Sequence, residues 1–124
     1  MTLGNMRVVF VAAFAFVLTA ISALANPEGT YEVSGTNPGN GSTYSGRVTV
    51  QRTEETFVVV WIVASSRQVG IGVGKDDFLA VSYRSGNSIG IAVYRPDGEG
   101  WRGIWAPAGS QDLGTEIWTR VRSD

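Results

Sequence analysis

Cysteine and histidine are both absent from the 124 residues. Their absence removes the thiolate and imidazole ligands of zinc, copper and haem sites, so no cofactor or metal is expected. It also removes the Ser-His-Asp and Cys-His nucleophile systems and any redox-active thiol. Small secreted domains often rely on disulfides, so a chain of this kind must be held by its core and by a well-closed sheet. An excess of positive charge is missing too: ten Lys and Arg stand against eleven Asp and Glu. Nucleic acid requires a basic stripe, and none is present. The Asp-x-Asp/Asn-x-Asp/Asn-Gly ladder of a calcium loop does not occur. What remains for catalysis is carboxylate chemistry, and the expectation is a non-enzymatic protein.

The one long apolar run lies at the start. Arg7 precedes an unbroken non-polar stretch from Val8 to Leu18, and Ala23-Leu24-Ala25 supplies the small-x-small pattern of a signal-peptidase site. Cleavage is expected between Ala25 and Asn26, with translation starting at Met1 or Met6. A membrane-spanning helix needs about 20 apolar residues, and the stretch to Ala25 is interrupted by Thr19 and Ser22. No cysteine follows it to carry a lipid. The expectation is an exported protein, periplasmic or extracellular, without membrane attachment once residues 1–25 are removed. Taking 25 from 124 leaves 99 residues, numbered 26–124 and sufficient for one small domain.

That domain shows no helical period. Short runs of valine, isoleucine and aromatics are cut by glycine-rich turns about every ten residues, the spacing of an all-β barrel or sandwich. Eight strands are expected. They begin at "GTYEVSG" and "TYSGRVTVQ", where Tyr44, Gly46, Val48 and Val50 share a face. "TFVVVWIVA" follows, apolar on both faces and expected to be the most buried. "VGIGVG", "FLAVSYR", "SIGIAVY", "WRGIW" and "GTEIWTRVR" complete the set, with Pro96 and Gly98 assigned to the turn "RPDGEG". Short connections imply antiparallel neighbours. Eight such strands close most economically into an up-and-down barrel of calycin or avidin-like size, which leaves no free edges. A two-sheet sandwich is the alternative.

"VGIGVGKDD" (69–77) has the superficial look of a phosphate cradle. Lys75 is followed by an acidic residue and no helix, and Ile71 and Val73 are stiff strand formers, so the requirements of a phosphate loop are not met. Gly70, Gly72 and Gly74 all point to one face of a strand. They are expected to leave room for rings such as Trp61, as Gly46 and Gly103 would beside Tyr44, Trp101 and Trp105.

The acidic pairs Glu54-Glu55, Asp76-Asp77 and Asp97/Glu99 fall in expected turns, where solvated carboxylates are ordinary. Glu116 differs, because it shares a strand face with Trp118 and Arg120. If Trp118 points inward, Glu116 is buried and needs a partner; in the opposite phase Ile117 points inward and Glu116 meets water. The aromatics Tyr44, Trp61, Trp101 and Trp105 have three possible roles: filling the core, lining a ligand cavity, or forming an outward contact patch.

"GTYEVSGTNPGNGSTYSGRVTV", "FLAVSYRSGN", "GIAVYRPDGEGWRGIWAPAG" and "LGTEIWTR" together resemble a family of small exported bacterial proteins often labelled fibronectin-binding. The resemblance runs from Gly29 to Arg120. It implies a secreted protein that engages a host or matrix glycoprotein. The alternative is a carrier of a small apolar ligand in a calycin-like barrel, held by Tyr44, Trp61, Trp101 and Trp105.

Overall fold

The computed structural model describes residues 26–122. The expected signal segment, residues 1–25, lies outside the described residues. Eight strands follow one another: β1 (Gly29–Thr36), β2 (Thr43–Thr53), β3 (Thr56–Val63), β4 (Ser66–Lys75), β5 (Phe78–Ser85), β6 (Ser88–Asp97), β7 (Gly100–Pro107) and β8 (Gly114–Arg120). Each pairs antiparallel with the next, and β8 returns to β1, so the sheet is a closed up-and-down barrel. The sandwich alternative is set aside by that last pairing, Val33 opposite Trp118 and Gly35 opposite Glu116.

Period-two patterning explains which side chains enter. On β2, Val48 and Val50 are buried while Arg47, Thr49 and Gln51 face water. On β3 the buried set is Phe57, Val59 and Trp61, but its outward residues are not covered, and Ile62 is 44% exposed. The expectation that β3 is buried on both faces is therefore corrected: a single-layer barrel covers only the inner face of each strand. The core comprises these residues with Tyr31, Val33, Leu79, Val81, Tyr83, Ala92, Tyr94, Trp101 and Trp118.

Rings fit inside because glycines face them. Tyr44 lies opposite Gly35, Tyr83 opposite Gly90, Tyr94 opposite Gly103 and Trp105 opposite Gly114. In each case a Cβ on the glycine would collide with the facing ring. The strip on β4 works similarly but with different partners from those expected. Only Gly70 meets Trp61, at 3.2 Å, whereas Gly72 and Gly74 meet Leu79 and its neighbours on β5. Gly46 sits against the Ile62 carbonyl and Val63 rather than a ring. Pro96 is also relocated: it pairs with Trp101 at the end of β6, and the turn is Gly98-Glu99, with Gly98 at a φ of 60°.

The two ends of the barrel differ. At the end where residues 26–28 lead into β1 and β8 finishes, Arg120 closes the opening. Its guanidinium donates to the carbonyls of Glu99 (3.0 Å), Glu28 (2.8 Å) and Asn26 (2.8 Å) and to Tyr31 Oη (2.8 Å). Tyr31 Oη donates in turn to the Pro27 carbonyl at 2.7 Å. The guanidinium also lies 4.8 Å from the centroid of the Tyr31 ring, within cation–π range. Turns at this end have two residues, as shown by the pairs Thr53 with Thr56, Lys75 with Phe78 and Asp97 with Gly100. The opposite end carries the longer connections, 37–42 and 108–113, and is open.

A leucine at position 72 would press on the Ala80 carbonyl (3.2 Å) and on Leu79 and Val81 (3.2 and 3.3 Å) from its first side-chain atom onward. Gly72→Leu is expected to lower stability by about 1–3 kcal/mol through overpacking, measured by chemical denaturation.

Candidate functional site

The open end leads into a cavity of about 450 Å³ whose lining includes Tyr44, Trp61, Tyr83, Tyr94, Trp105 and Glu116. The volume falls in the ordinary range of small-molecule sites, roughly 300–1,000 Å³. Seven strands, β2 to β8, contribute: among them Tyr44 stands near the start of β2, Trp61 near the end of β3, Tyr83 near the end of β5, Trp105 near the end of β7 and Glu116 near the start of β8. These positions alternate between strand ends and strand starts because neighbours run antiparallel, which brings residues distant in sequence to one level. Asn37, Gln68, Ser85 and Ser88 form a neutral polar rim.

The rings are set at steep angles to one another. Trp61 and Tyr83 have centroids 5.8 Å apart and planes at 63°. Tyr83 and Trp105 stand 6.2 Å apart at 72°, and Trp105 and Tyr44 stand 6.1 Å apart at 74°. Edge-to-face contacts of this kind are favourable in themselves, and here four rings make the walls of a box.

Glu116 is the floor. Only 6% exposed, it accepts four hydrogen bonds from the surrounding aromatics. Oε1 receives Trp118 Nε1 (2.9 Å), Tyr94 Oη (2.8 Å) and Trp61 Nε1 (3.2 Å), while Oε2 receives Tyr44 Oη (2.6 Å). Trp118, whose ring centroid is 4.2 Å from that of Tyr94, anchors the group from below. The inward phase of β8 is thereby decided, and Ile117 faces out. Burial, followed by the charge and hydrogen bond of Glu116, pushes the Tyr44 and Tyr94 hydroxyls well above the usual phenol range. Burial and the Glu116 charge raise Tyr83 as well. Tyr83 Oη and Trp105 Nε1 are buried without a hydrogen-bond partner, each pressed toward the glycine it faces.

Of the four aromatics expected at a ligand site, the structure brings Tyr44, Trp61 and Trp105 together. It places Trp101 elsewhere: this ring is 1% exposed, lies in the plugged half and pairs across β8 with Trp118. Trp101 and Trp105 do share a strand face, but four residues along a strand span about 13 Å, enough to separate floor from mouth. Tyr83 and Tyr94 were not singled out from sequence. Their signal was present in the aromatic–glycine pairing across hairpins, Tyr83 with Gly90 and Tyr94 with Gly103. The acidic pairs stay in or beside turns, Asp97 bridged to Arg102 at 3.1 Å and Glu99 to Arg122 at 3.0 Å. Among the described residues no cluster of His, Cys, Asp and Glu could hold a metal ion.

Removing the carboxylate would leave three buried donors and the half-buried Tyr44 hydroxyl without their acceptor. Glu116→Leu is expected to cost more than about 3 kcal/mol, and Glu116→Gln less, because the amide oxygen retains part of the set; denaturation midpoints of the two variants report the difference. A second consequence is alkaline. Tyr31, Tyr44, Tyr83 and Tyr94 all have raised folded values, Tyr31 through burial that outweighs Arg120. Below about pH 10 folded and unfolded chains hold the same phenolic protons, so these groups impose no pH dependence. Above it the unfolded chain loses protons that the folded chain keeps, and stability falls as pH rises. Urea midpoints are therefore expected to drop above about pH 10, with phenolate absorbance appearing together with unfolding.

No family model matches the chain, and no curated protein does either. Among solved structures the chain is similar to a redesigned β barrel, with 20% identity over 77% of this chain and 92% of that one and a TM-score of 0.67. That likeness concerns the β-barrel fold alone.

Proposed function

We propose that the chain is an exported, non-catalytic binding protein that receives a small ligand in the open end of its barrel. The observation that carries this is the inequality of the two ends. Arg120 and the segment 26–28 close one, while the other opens onto a cavity walled by Tyr44, Trp61, Tyr83 and Trp105. A barrel of this strand number has room either for a full packing of side chains or for one small ligand. Here the half around Trp101 and Leu79 follows the first course and the half around Trp105 the second. Catalysis by paired carboxylates draws no support from the lining, since Glu116 is held by four protein donors and no second acid stands across the cavity from it.

A second reading, engagement of a matrix glycoprotein such as fibronectin, is favoured by the outer surface. Ile89, Ile91, Val93 and Ile104 are exposed on the neighbouring strands β6 and β7, and Ile71 and Val73 are exposed on β4, joined to them across β5 only at Ala80, which pairs with Val73 and Val93; exposed apolar patches of this kind are typical of protein-binding faces. The patch is one-sided: β1 and β2 present polar residues outward, including the ion pair of Glu32 with Arg47 at 2.8 Å. A lipid-spanning barrel would need an apolar band all the way round.

The neutral apolar probe N-phenyl-1-naphthylamine tests the first reading. Saturable quenching of tryptophan emission is expected, and it should be lost in Ser85→Phe, which fills the mouth without removing a wall. Quenching unchanged by that substitution would place the probe elsewhere and end the reading. Immobilised fibronectin tests the second: saturable capture should be abolished by Ile91→Glu and spared by Ser85→Phe.

A further inference from the structure

We propose that the ligand class of the open end is an organic cation with a methylated ammonium head, seated in the aromatic box above Glu116. This rests on the reading of the open end as a ligand site and sharpens it from any small apolar body to one charge type.

Three observations converge. The first is the wall. Tyr44, Trp61, Tyr83 and Trp105 surround one space, with successive planes at 63°, 72° and 74°. Aromatic rings carry negative potential on their faces, and several rings around one volume attract a cation that is bulky and weakly hydrated. A methylated ammonium fits that description better than a primary ammonium, because it offers no N–H that would demand acceptors.

The second is the floor. A buried carboxylate is ordinarily compensated by a cation. Glu116 has only dipoles around it, two indole N–H groups and two phenols, and takes part in no ion pair among the described residues. Its charge is thus dispersed by hydrogen bonds but not cancelled by a positive group. A cation arriving from the open end would meet that field beside a carboxylate that is itself only 6% exposed, where the low local dielectric strengthens the attraction.

The third is what the lining omits. No lysine or arginine contributes to it; the remaining polar groups are the neutral Asn37, Gln68, Ser85 and Ser88 at the rim. Arg120 faces the barrel interior at the other end, where it is engaged by backbone carbonyls and Tyr31. An anionic ligand would therefore enter against Glu116 with nothing to receive it. A neutral ligand would gain the apolar contacts but not the electrostatic ones.

The experiment compares choline with 3,3-dimethylbutan-1-ol, its neutral carbon isostere, by calorimetry and tryptophan quenching on the purified protein. Choline is expected to bind at least tenfold more tightly than the isostere. Trp105→Leu, which removes one wall at a half-buried position, should reduce choline binding at least fivefold. Glu116→Gln, checked for folding by circular dichroism, should bring the two ligands toward equal affinity. Equal binding of choline and isostere to the wild-type protein would overturn the cation proposal and leave the small-ligand reading standing. So would binding of N-phenyl-1-naphthylamine at the mouth with no response to choline. Absence of binding by all three compounds would overturn both.

Discussion

The constraint on which this structure depends is the narrowness of an eight-stranded barrel. Its interior admits side chains from all around the wall but has no spare volume for rings placed without regard to their neighbours. Tyr44, Tyr83, Tyr94 and Trp105 are accommodated because the facing residues are Gly35, Gly90, Gly103 and Gly114. Glycine in a strand is costly to backbone entropy. Its repeated use opposite rings indicates that ring packing, not strand propensity, selected these positions. The glycines of β4 extend the same solution to Leu79, Val81 and Trp61.

A second level of organisation is polar. Four aromatic donors converge on one carboxylate, so Glu116 orients Tyr44, Trp61, Tyr94 and Trp118 simultaneously. A half-satisfied buried network would be worse than an apolar core, whereas a satisfied one restricts the rings to a single arrangement. Arg120 performs a corresponding task at the other end by tying β8 to the segment preceding β1 and to the β6–β7 turn. The two charged residues of β8 that face inward, four positions apart, thus serve opposite ends. One plugs the barrel, and the other leaves a ring of aromatics standing around open space.

This division gives the functional proposals their direction. Where Arg120 fills the opening, Tyr31, Phe57, Leu79 and Trp101 pack to near-complete burial. Where the floor is an acid already bonded to the wall, the space above it is a cavity of about 450 Å³. The exposed apolar residues of β4, β6 and β7 are a separate property, carried by the outward alternate residues of these strands, and it is on them that the second proposal rests.

Much of this was legible in the sequence. Alternation on "TYSGRVTVQ" and the turns every ten residues specify strands, and short connections specify antiparallel order, because both depend only on neighbours along the chain. The lack of histidine and cysteine excludes whole classes of chemistry on composition alone. Tyr44, Trp61 and Trp105 could be named as a group, yet Trp101 could not be told from them, since one strand face runs through both halves of a barrel. Whether Glu116 or Ile117 points inward was undecidable locally: a strand alternates in either phase, and the phase is chosen by what the opposite wall supplies. Only closure of β8 on β1, which sets register around the whole circle, places two indoles and two phenols within hydrogen-bonding distance of one carboxylate. Composition and period determined the kind of sheet; the tertiary structure decided which of its ends is filled, because that depends on residues far apart in sequence meeting across the interior.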